Sequence, residues 1–284
     1  MIMHSFDILR RFLLSRAGLA IESDKRDLLD NRLLPLVRKL GLADVDALLR
    51  QLDGMPSPDL ARAVIEAMVT NETFFFRDRA PFDQLREALP LLMRERENHR
   101  QIRFWSAACS TGQEPYSIAM ILDEEARRLA GWSVDILATD ISEAVLATAR
   151  AGLYNQFEVQ RGLPVAHLLR YFRQEGERWR VAEHLRTRIR YRAFNLISDF
   201  SELGRFDIVF CRNVLIYFDV QARAAVLDRI SRLLPADGLL VLGSAETVIG
   251  VSEKFERHPD FPMLWIRRGA AREQRVPLKL VAGA

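Results

Sequence analysis

The stretch Ile102-Arg-Phe-Trp-Ser-Ala-Ala-Cys-Ser-Thr-Gly-Gln-Glu-Pro-Tyr-Ser117 decides how this chain folds. Its first eight residues, down to Cys109, are a mostly apolar run suited to a strand buried on both faces. A turn of small residues follows, and a helix opens just beyond Gly112. Strand, small-residue turn and helix N-terminus make a nucleotide-binding geometry, because small side chains let a ligand approach the backbone. The glycines are too few for a dinucleotide. Only Gly112 stands where a G-x-G-x-x-G motif wants three, and no Walker lysine is present. A cofactor without a phosphate chain fits better, and S-adenosylmethionine (SAM) is the commonest of these.

Beyond this stretch, Val134–Asp140, Ile189–Leu196, Phe206–Cys211 and Leu239–Ser244 read as further strands. Helices are expected over about 115–130, 142–151 and 220–234. The alternation argues for an α/β fold with a doubly wound, mainly parallel sheet that binds its ligand at the carboxyl ends of the strands. Residues 152–187 break the pattern. There a helical piece precedes Tyr171-Phe172-Arg173 and Trp179-Arg180-Val181, which flank the turn-like Gln174-Glu175-Gly176-Glu177 and read as an inserted β-hairpin.

Residues 1–70 read as helices only. Phe6, Leu9 and Leu13 recur at helical spacing, as do Leu29, Leu33, Leu36 and Leu40, and Ser57-Pro58 has the form of an N-cap followed by a first-turn proline. Pro35 is expected to kink or break the second helix. The organisation expected is a helical domain over 1–70, a linker and helix over 71–100, the α/β domain over 101–268 with its insert at about 152–187, and a flexible tail over 269–284.

Composition narrows the function. With 49% hydrophobic and 28% charged residues, the 284-residue chain has apolar material for two globular cores. No run approaches the roughly 18 apolar residues of a membrane span. The opening residues mix charge with apolar side chains and do not form a signal peptide, so a cytoplasmic protein without membrane insertion is expected. Cys109 and Cys211 each end an apolar run outside any C-x-x-C pattern, which points to reduced thiols. His4, His99, His167, His184 and His258 lack ligand spacing, so no metal is expected. A net charge of +3 without a Lys/Arg stripe argues against nucleic acid and suits an acidic protein partner equally well.

Asp140 ends the second strand, where an acid can accept both hydroxyls of a ribose. Ser142 is the better N-cap for the helix beginning at Glu143, which leaves Asp140 at the strand tip. Glu114 opens the first helix, where the macrodipole by itself favours a carboxylate.

Several motifs then combine: T-N-E-T-F-F-F-R at Thr70–Arg77, the stretch Trp105–Ser117, A-T-D-I-S at Ala138–Ser142, F-N-L at Phe194–Leu196, Phe206–Asp219, and L-G-S-A-E at Leu242–Glu246. In order and spacing, over about residues 5–268, the chain resembles the CheR-type chemotaxis receptor methyltransferases, and Arg16–Leu33 looks like part of their N-terminal helical domain. The resemblance implies a class I methyltransferase (Rossmann-like) sheet with an inserted β-subdomain, behind an all-helical domain. It also implies SAM as cofactor, S-adenosylhomocysteine as product, and cofactor contacts from Asn71, Thr73, Arg77, Glu114, Asp140, Asn195, Leu196, Arg212 and Asn213. In that scheme Asp140 takes the ribose, Glu114 the methionyl ammonium, the Asn195-Leu196 tip the adenine, and Asn213 lines the methionyl end. Phe74, Phe75 and Phe76 read as interdomain core. The chain departs from the family at Gly243-Ser244-Ala245-Glu246, where relatives usually read G-H-S-E. No role of that histidine transfers here.

The reaction implied is transfer of the sulfonium methyl to a glutamate carboxylate on the cytoplasmic helical domain of a chemoreceptor. A glutamate of pKa about 4.3 is already ionised at neutral pH, so placement matters and a general base does not. Arg77 is expected to steer that carboxylate with its guanidinium fork, and Tyr217 is the second candidate. An RNA or small-molecule methyltransferase is disfavoured because Arg212-Asn213-Val214-Leu215 replaces an N/D-P-P-Y motif. A degenerate signalling adaptor is disfavoured because every matched cofactor position holds a competent residue. Lys25, Arg32 and Lys39 share one face if their helix runs past Pro35, and could dock acidic receptor helices. The segment between Phe172 and Trp179 is about three residues shorter than in relatives that grip a receptor-tail pentapeptide as an added strand, and Glu175 and Glu177 would repel an acidic tail. Recognition independent of that pentapeptide, by a monomer, is therefore expected.

Overall fold

The computed structural model describes residues 2–21 and 26–269. Four helices come first: α1 (Ile2–Ala17), α2 (Arg26–Lys39), α3 (Val45–Leu52) and α4 (Pro58–Met68). Each turns an apolar stripe inward, and Leu9, Leu13, Leu33, Leu48 and Val64 are fully buried in a core of their own. Ser57 caps α4 by accepting from the Leu60 N–H, with Pro58 in the first turn. The break expected at Pro35 does not occur, and α2 runs through it to Lys39. The hydrogen bond that proline forfeits is offset by burial of Leu33, Leu36 and Val37 around it. Of the basic face expected on α2, Lys25 lies outside the described residues. Arg32 is engaged within the fold, donating to Met68 O and, at 2.9 Å, to Thr70 Oγ1 at the end of α4. The tail expected beyond Gly269 also lies outside the described residues.

Helix α5 (Ala80–Glu95) leads into β1 (Gln101–Ala107), α6 (Gln113–Glu124), β2 (Ser133–Asp140) and α7 (Glu143–Ala151). An insert follows, comprising β3 (Leu153–Asn155), α8 (Gln156–Gln160), α9 (Val165–Tyr171), β4 (Phe172–Glu175), β5 (Arg178–Val181) and α10 (Glu183–Arg186). The chain ends with β6 (Ile189–Ala193), β7 (Ile208–Cys211), α11 (Val220–Leu233), β8 (Leu239–Leu242), β9 (Phe255–Arg257) and β10 (Leu264–Arg267).

The main sheet has the order β6-β2-β1-β7-β8-β10-β9. Its first five strands are parallel, and β10 runs antiparallel to both β8 and β9. From β1 the chain builds outward through β2 and β6, then returns to the other side for β7 and β8. The topological switch, and with it the ligand crevice, therefore falls at the carboxyl end of β1. Alternation along β1 sends Phe104 to the layer of α5 and α6 and Trp105 to the layer of α11, where Val226, Leu227 and Ile230 cover it.

The insert is a three-stranded antiparallel sheet, β3-β5-β4, where the sequence suggested a lone hairpin. The hairpin itself is present, and Gly176 at φ +60° makes its two-residue turn with Glu177.

Candidate active site

Beyond Ala107 the backbone takes an uncommon path, with Ala108, Ser110 and Gly112 all left-handed at φ +58°, +51° and +94°. A Cβ on Gly112 would lie 2.8 Å from the Ala149 Cβ, so glycine lets α7 pack against the turn. Each non-glycine left-handed residue costs about 1–2 kcal/mol, and local bonds hold the two in place. Cys109 N–H donates to Thr139 O (2.9 Å), Ser110 N–H to Asp140 Oδ2 (2.8 Å), and Ser110 Oγ to Asn71 O (2.7 Å).

Asp140 is buried at the tip of β2. One backbone N–H reaches each of its oxygens, Ser110 on Oδ2 and Ser142 on Oδ1 (3.0 Å), which leaves acceptor capacity on both for a vicinal diol. Burial raises its pKa against the pull of those N–H groups. Ser142 caps α7 through Val145 N–H, so the acid is not consumed as the cap.

Glu114 accepts from Ser106 Oγ (2.7 Å) and from Arg212 Nη1 (3.0 Å). Burial pushes its pKa up, opposed by Arg212 and Ser106. Arg212, with its side chain only 1% exposed, also sends Nη2 to Arg77 O and to Asp78 Oδ2, both at 2.8 Å. The guanidinium therefore ties the end of β7 to α6 and to the 70–79 linker. Glu114 meets it with one oxygen and keeps acceptor capacity for a further cation.

A residue without a role in the sequence reading organises the loop after β7. The Glu246 carboxylate accepts on Oε2 from the N–H groups of Asn213 (2.7 Å) and Gly243 (2.8 Å), and on Oε1 from Val214 (2.9 Å), Leu215 (2.7 Å) and, more weakly, Ile216 (3.4 Å). This fixes Asn213, left-handed at φ +56°, and the following turn that carries Tyr217. Gly243 is needed because a Cβ there would sit 2.7 Å from Asn213 Nδ2 and 2.8 Å from Glu246 Oε2. The available signal was the glycine-to-acid spacing of Gly-Ser-Ala-Glu. Ser244, at the family's usual histidine position, is exposed.

The helical domain and the linker close the other side. Leu19 bridges to Phe218, Ala20 N–H donates to Tyr217 O (2.8 Å), and Asn195 Nδ2 donates to Arg16 O (2.7 Å) while its Oδ1 accepts from Ile197 N–H. The Asn195 side chain is thus engaged in joining the β6 turn to α1. Phe75 is fully buried against Tyr154 and Phe172 of the insert, and Phe76 is buried against Phe82 of α5. Both therefore belong to the core of the methyltransferase domain and not to the expected seam with the helical domain, whose core is separate. Phe74 is only half-buried, beneath Arg77.

All ten residues singled out from the sequence line one cleft: Asn71, Thr73 and Arg77 from the linker, Glu114 from α6, Asp140 from β2, Asn195 and Leu196 after β6, and Arg212, Asn213 and Tyr217 after β7. Among the described residues, no group of three or more His, Cys, Asp or Glu side chains is placed to hold a metal, and no helix is long and apolar enough to cross a membrane.

A switch-point cleft with a buried strand-tip acid, a small-residue turn and no phosphate loop defines a class I SAM-dependent methyltransferase. Residues 4–69 match the CheR methyltransferase all-alpha domain and residues 71–260 the CheR methyltransferase SAM binding domain, so the chain belongs to the CheR methyltransferase family. SAM is its cofactor, and the free acceptor capacity of Asp140 fits the ribose. Chemotaxis protein methyltransferase Cher2 of Pseudomonas putida is 39% identical to it over 256 residues, 88% of this chain and 93% of that protein. The chemotaxis protein methyltransferase of Vibrio parahaemolyticus is 41% identical over 249 residues, 87% and 90% of the two chains. That of Escherichia coli is 36% identical over 256 residues, 88% and 86%.

Proposed function

We propose that the protein methylates glutamate side-chain carboxylates on the cytoplasmic helical domains of chemoreceptors, producing γ-glutamyl methyl esters and S-adenosylhomocysteine. The observation that carries this reading is a cleft lined by the Arg77 guanidinium and, among the described residues, by no histidine, which suits an acceptor that arrives already ionised. Bound SAM supplies an electrophilic methyl on its sulfonium. Asp140 holds the ribose diol, Glu114 the methionyl ammonium, and the turn at Asn195-Leu196 the adenine, Asn195 acting by shaping that turn. Asn71, Thr73 and Asn213 line the methionyl side. Arg212 acts through Arg77 and Asp78, fixing the linker. Arg77 and Tyr217 orient the acceptor carboxylate, and exclusion of water removes hydration from a charge that the transfer neutralises.

The enzyme is proposed to work in the cytoplasm as a monomer and to recognise receptor helices directly, without a tail pentapeptide. The two-residue turn of the β4–β5 hairpin leaves little loop to grip one, although Arg180 pairs with Glu175 at 2.6 Å and so offsets part of the repulsion expected there. Methyl-labelled SAM, incubated with receptor-containing membranes, tests the reading. Label released as methanol on base treatment is expected, and base-stable label would point to another acceptor.

A further inference from the structure

Arg161 follows α8 in the insert, and its guanidinium reaches back to the linker. Its Nη2 donates to Glu72 Oε1, and its Cζ lies 4.4 Å from the centroid of the Phe74 ring. Arg77, with Cζ 5.5 Å from the same centroid, donates to the backbone oxygen of Glu72 at 2.8 Å. One phenyl ring and one glutamate therefore bring together two guanidinium groups, one carried by the linker and the other by the insert. The backbone beside Arg161 is anchored too, since any Cβ on Gly162 would collide with Phe75 O.

Glu72 lines the cleft, and Arg161 first, then Arg77, hold its carboxyl below the usual range. The pair stays open to water, with side chains 51% and 41% exposed, so an external carboxylate can exchange for it at little cost.

Resting on the glutamate reading above, we propose that Arg161 is a second acceptor-binding arginine, which takes a neighbouring carboxylate of the substrate segment while Arg77 takes the one to be methylated, and that Glu72 occupies Arg161 until substrate arrives. The substrate class this selects is an acidic helical segment with a second carboxylate close to the acceptor. A guanidinium fork matches such a group in a way a lysine does not. Glu72, being tethered, competes at high effective concentration and keeps the mouth closed to weakly acidic segments.

The test uses the full-length enzyme and a purified cytoplasmic fragment of a chemoreceptor from the same organism. Arg161→Ala should raise KM for the fragment roughly two- to fivefold, the effect of one partly exposed charge pair, with the loss falling on KM and not on kcat. SAM affinity by calorimetry should hold, and Arg161→Lys should rescue only in part. Glu72→Gln should lower KM, and should do nothing once Arg161 is alanine. An unchanged KM in Arg161→Ala overturns the proposal. If that variant fails to fold, Glu72→Gln decides alone, and a KM that stays level or rises overturns it. Absence of base-labile methylation by the wild-type enzyme would instead remove the glutamate reading itself.

Discussion

Replacing Glu246 by glutamine keeps the shape of the side chain and removes half of its function. The carboxylate receives five backbone N–H groups: four at 2.7–2.9 Å, two on each oxygen, and that of Ile216 on Oε1 at 3.4 Å. An amide can accept on one side only. If its oxygen keeps Val214 and Leu215, its NH2 group faces the N–H groups of Asn213 and Gly243, donor against donor. A buried donor left without a partner costs about 1–3 kcal/mol. The turn is half-exposed, so water recovers part of that, and about 2–3 kcal/mol for the two together is the expected loss of stability. That is a large share of the roughly 5–15 kcal/mol that holds a domain folded. Because the same turn carries Asn213 and Tyr217, SAM affinity should fall by about tenfold as well, equal to about 1.4 kcal/mol. Denaturant unfolding and calorimetric SAM titration on the purified variant would read both quantities. A glutamine variant within about 0.5 kcal/mol of wild-type stability and twofold of its affinity would refute the argument, since surface substitutions without such a role have effects of that size.

Asp140→Ala should weaken SAM binding roughly 10- to 100-fold, because hydrogen bonds to a charged group are worth about 1.5–3 kcal/mol; a calorimetric affinity within twofold of wild type would reject the ribose assignment. In the wild type, burial raises the pKa of Asp140, so the ionised form that accepts both hydroxyls is lost on acidification at a higher pH than for an unperturbed aspartate of about 3.9. SAM affinity should therefore fall as pH drops through that raised value, and the dependence should flatten in Asp140→Ala. Arg77→Lys should retain little turnover, because a point charge lacks the planar fork, and full activity would show that charge alone suffices. Titration with a receptor-tail pentapeptide should give no saturable binding, and low-micromolar binding would show that the insert accepts an added strand after all.

The parallel sheet was legible because β1, β2, β7 and β8 carry apolar runs bounded by turns and because the helices α6, α7 and α11 fall between strands; β6, Ile-Arg-Tyr-Arg-Ala, is a more polar edge strand. The short antiparallel pieces were not. β3, β9 and β10 have three, three and four residues, too few for period-two alternation to register, and only their partners in the sheet define them. Site residues at strand ends were readable by position: Asp140 closes its strand, and Ser142 competes for the cap. Glu246 was not, since what it does depends on five N–H groups, four of them from a loop some thirty residues earlier. Arg32 and Pro35 show the same limit, because spacing placed one on an open face and the other at a break, and tertiary contacts decided both.

The linker explains why Arg212 is buried with so much of its hydrogen-bonding capacity turned toward the protein. Phe76, Asp78 and Arg79 are left-handed at φ +51°, +65° and +43°, three non-glycine residues within four positions and each costing about 1–2 kcal/mol. Such a segment holds its shape only where neighbouring groups over-determine it. Arg212 supplies two of the restraints, at Arg77 O and Asp78 Oδ2, and Ser117 Oγ supplies a third by accepting from Phe76 N–H at 2.9 Å. Glu114 in turn balances the charge of Arg212. The position of Arg77 in the cleft wall is therefore set from inside the methyltransferase sheet, through a chain of contacts running from α6 and the end of β7. The same chain links the proposed cofactor contact at Glu114 to the proposed acceptor contact at Arg77, because Arg212 bonds to Glu114 on one side and to the linker that carries Arg77 on the other.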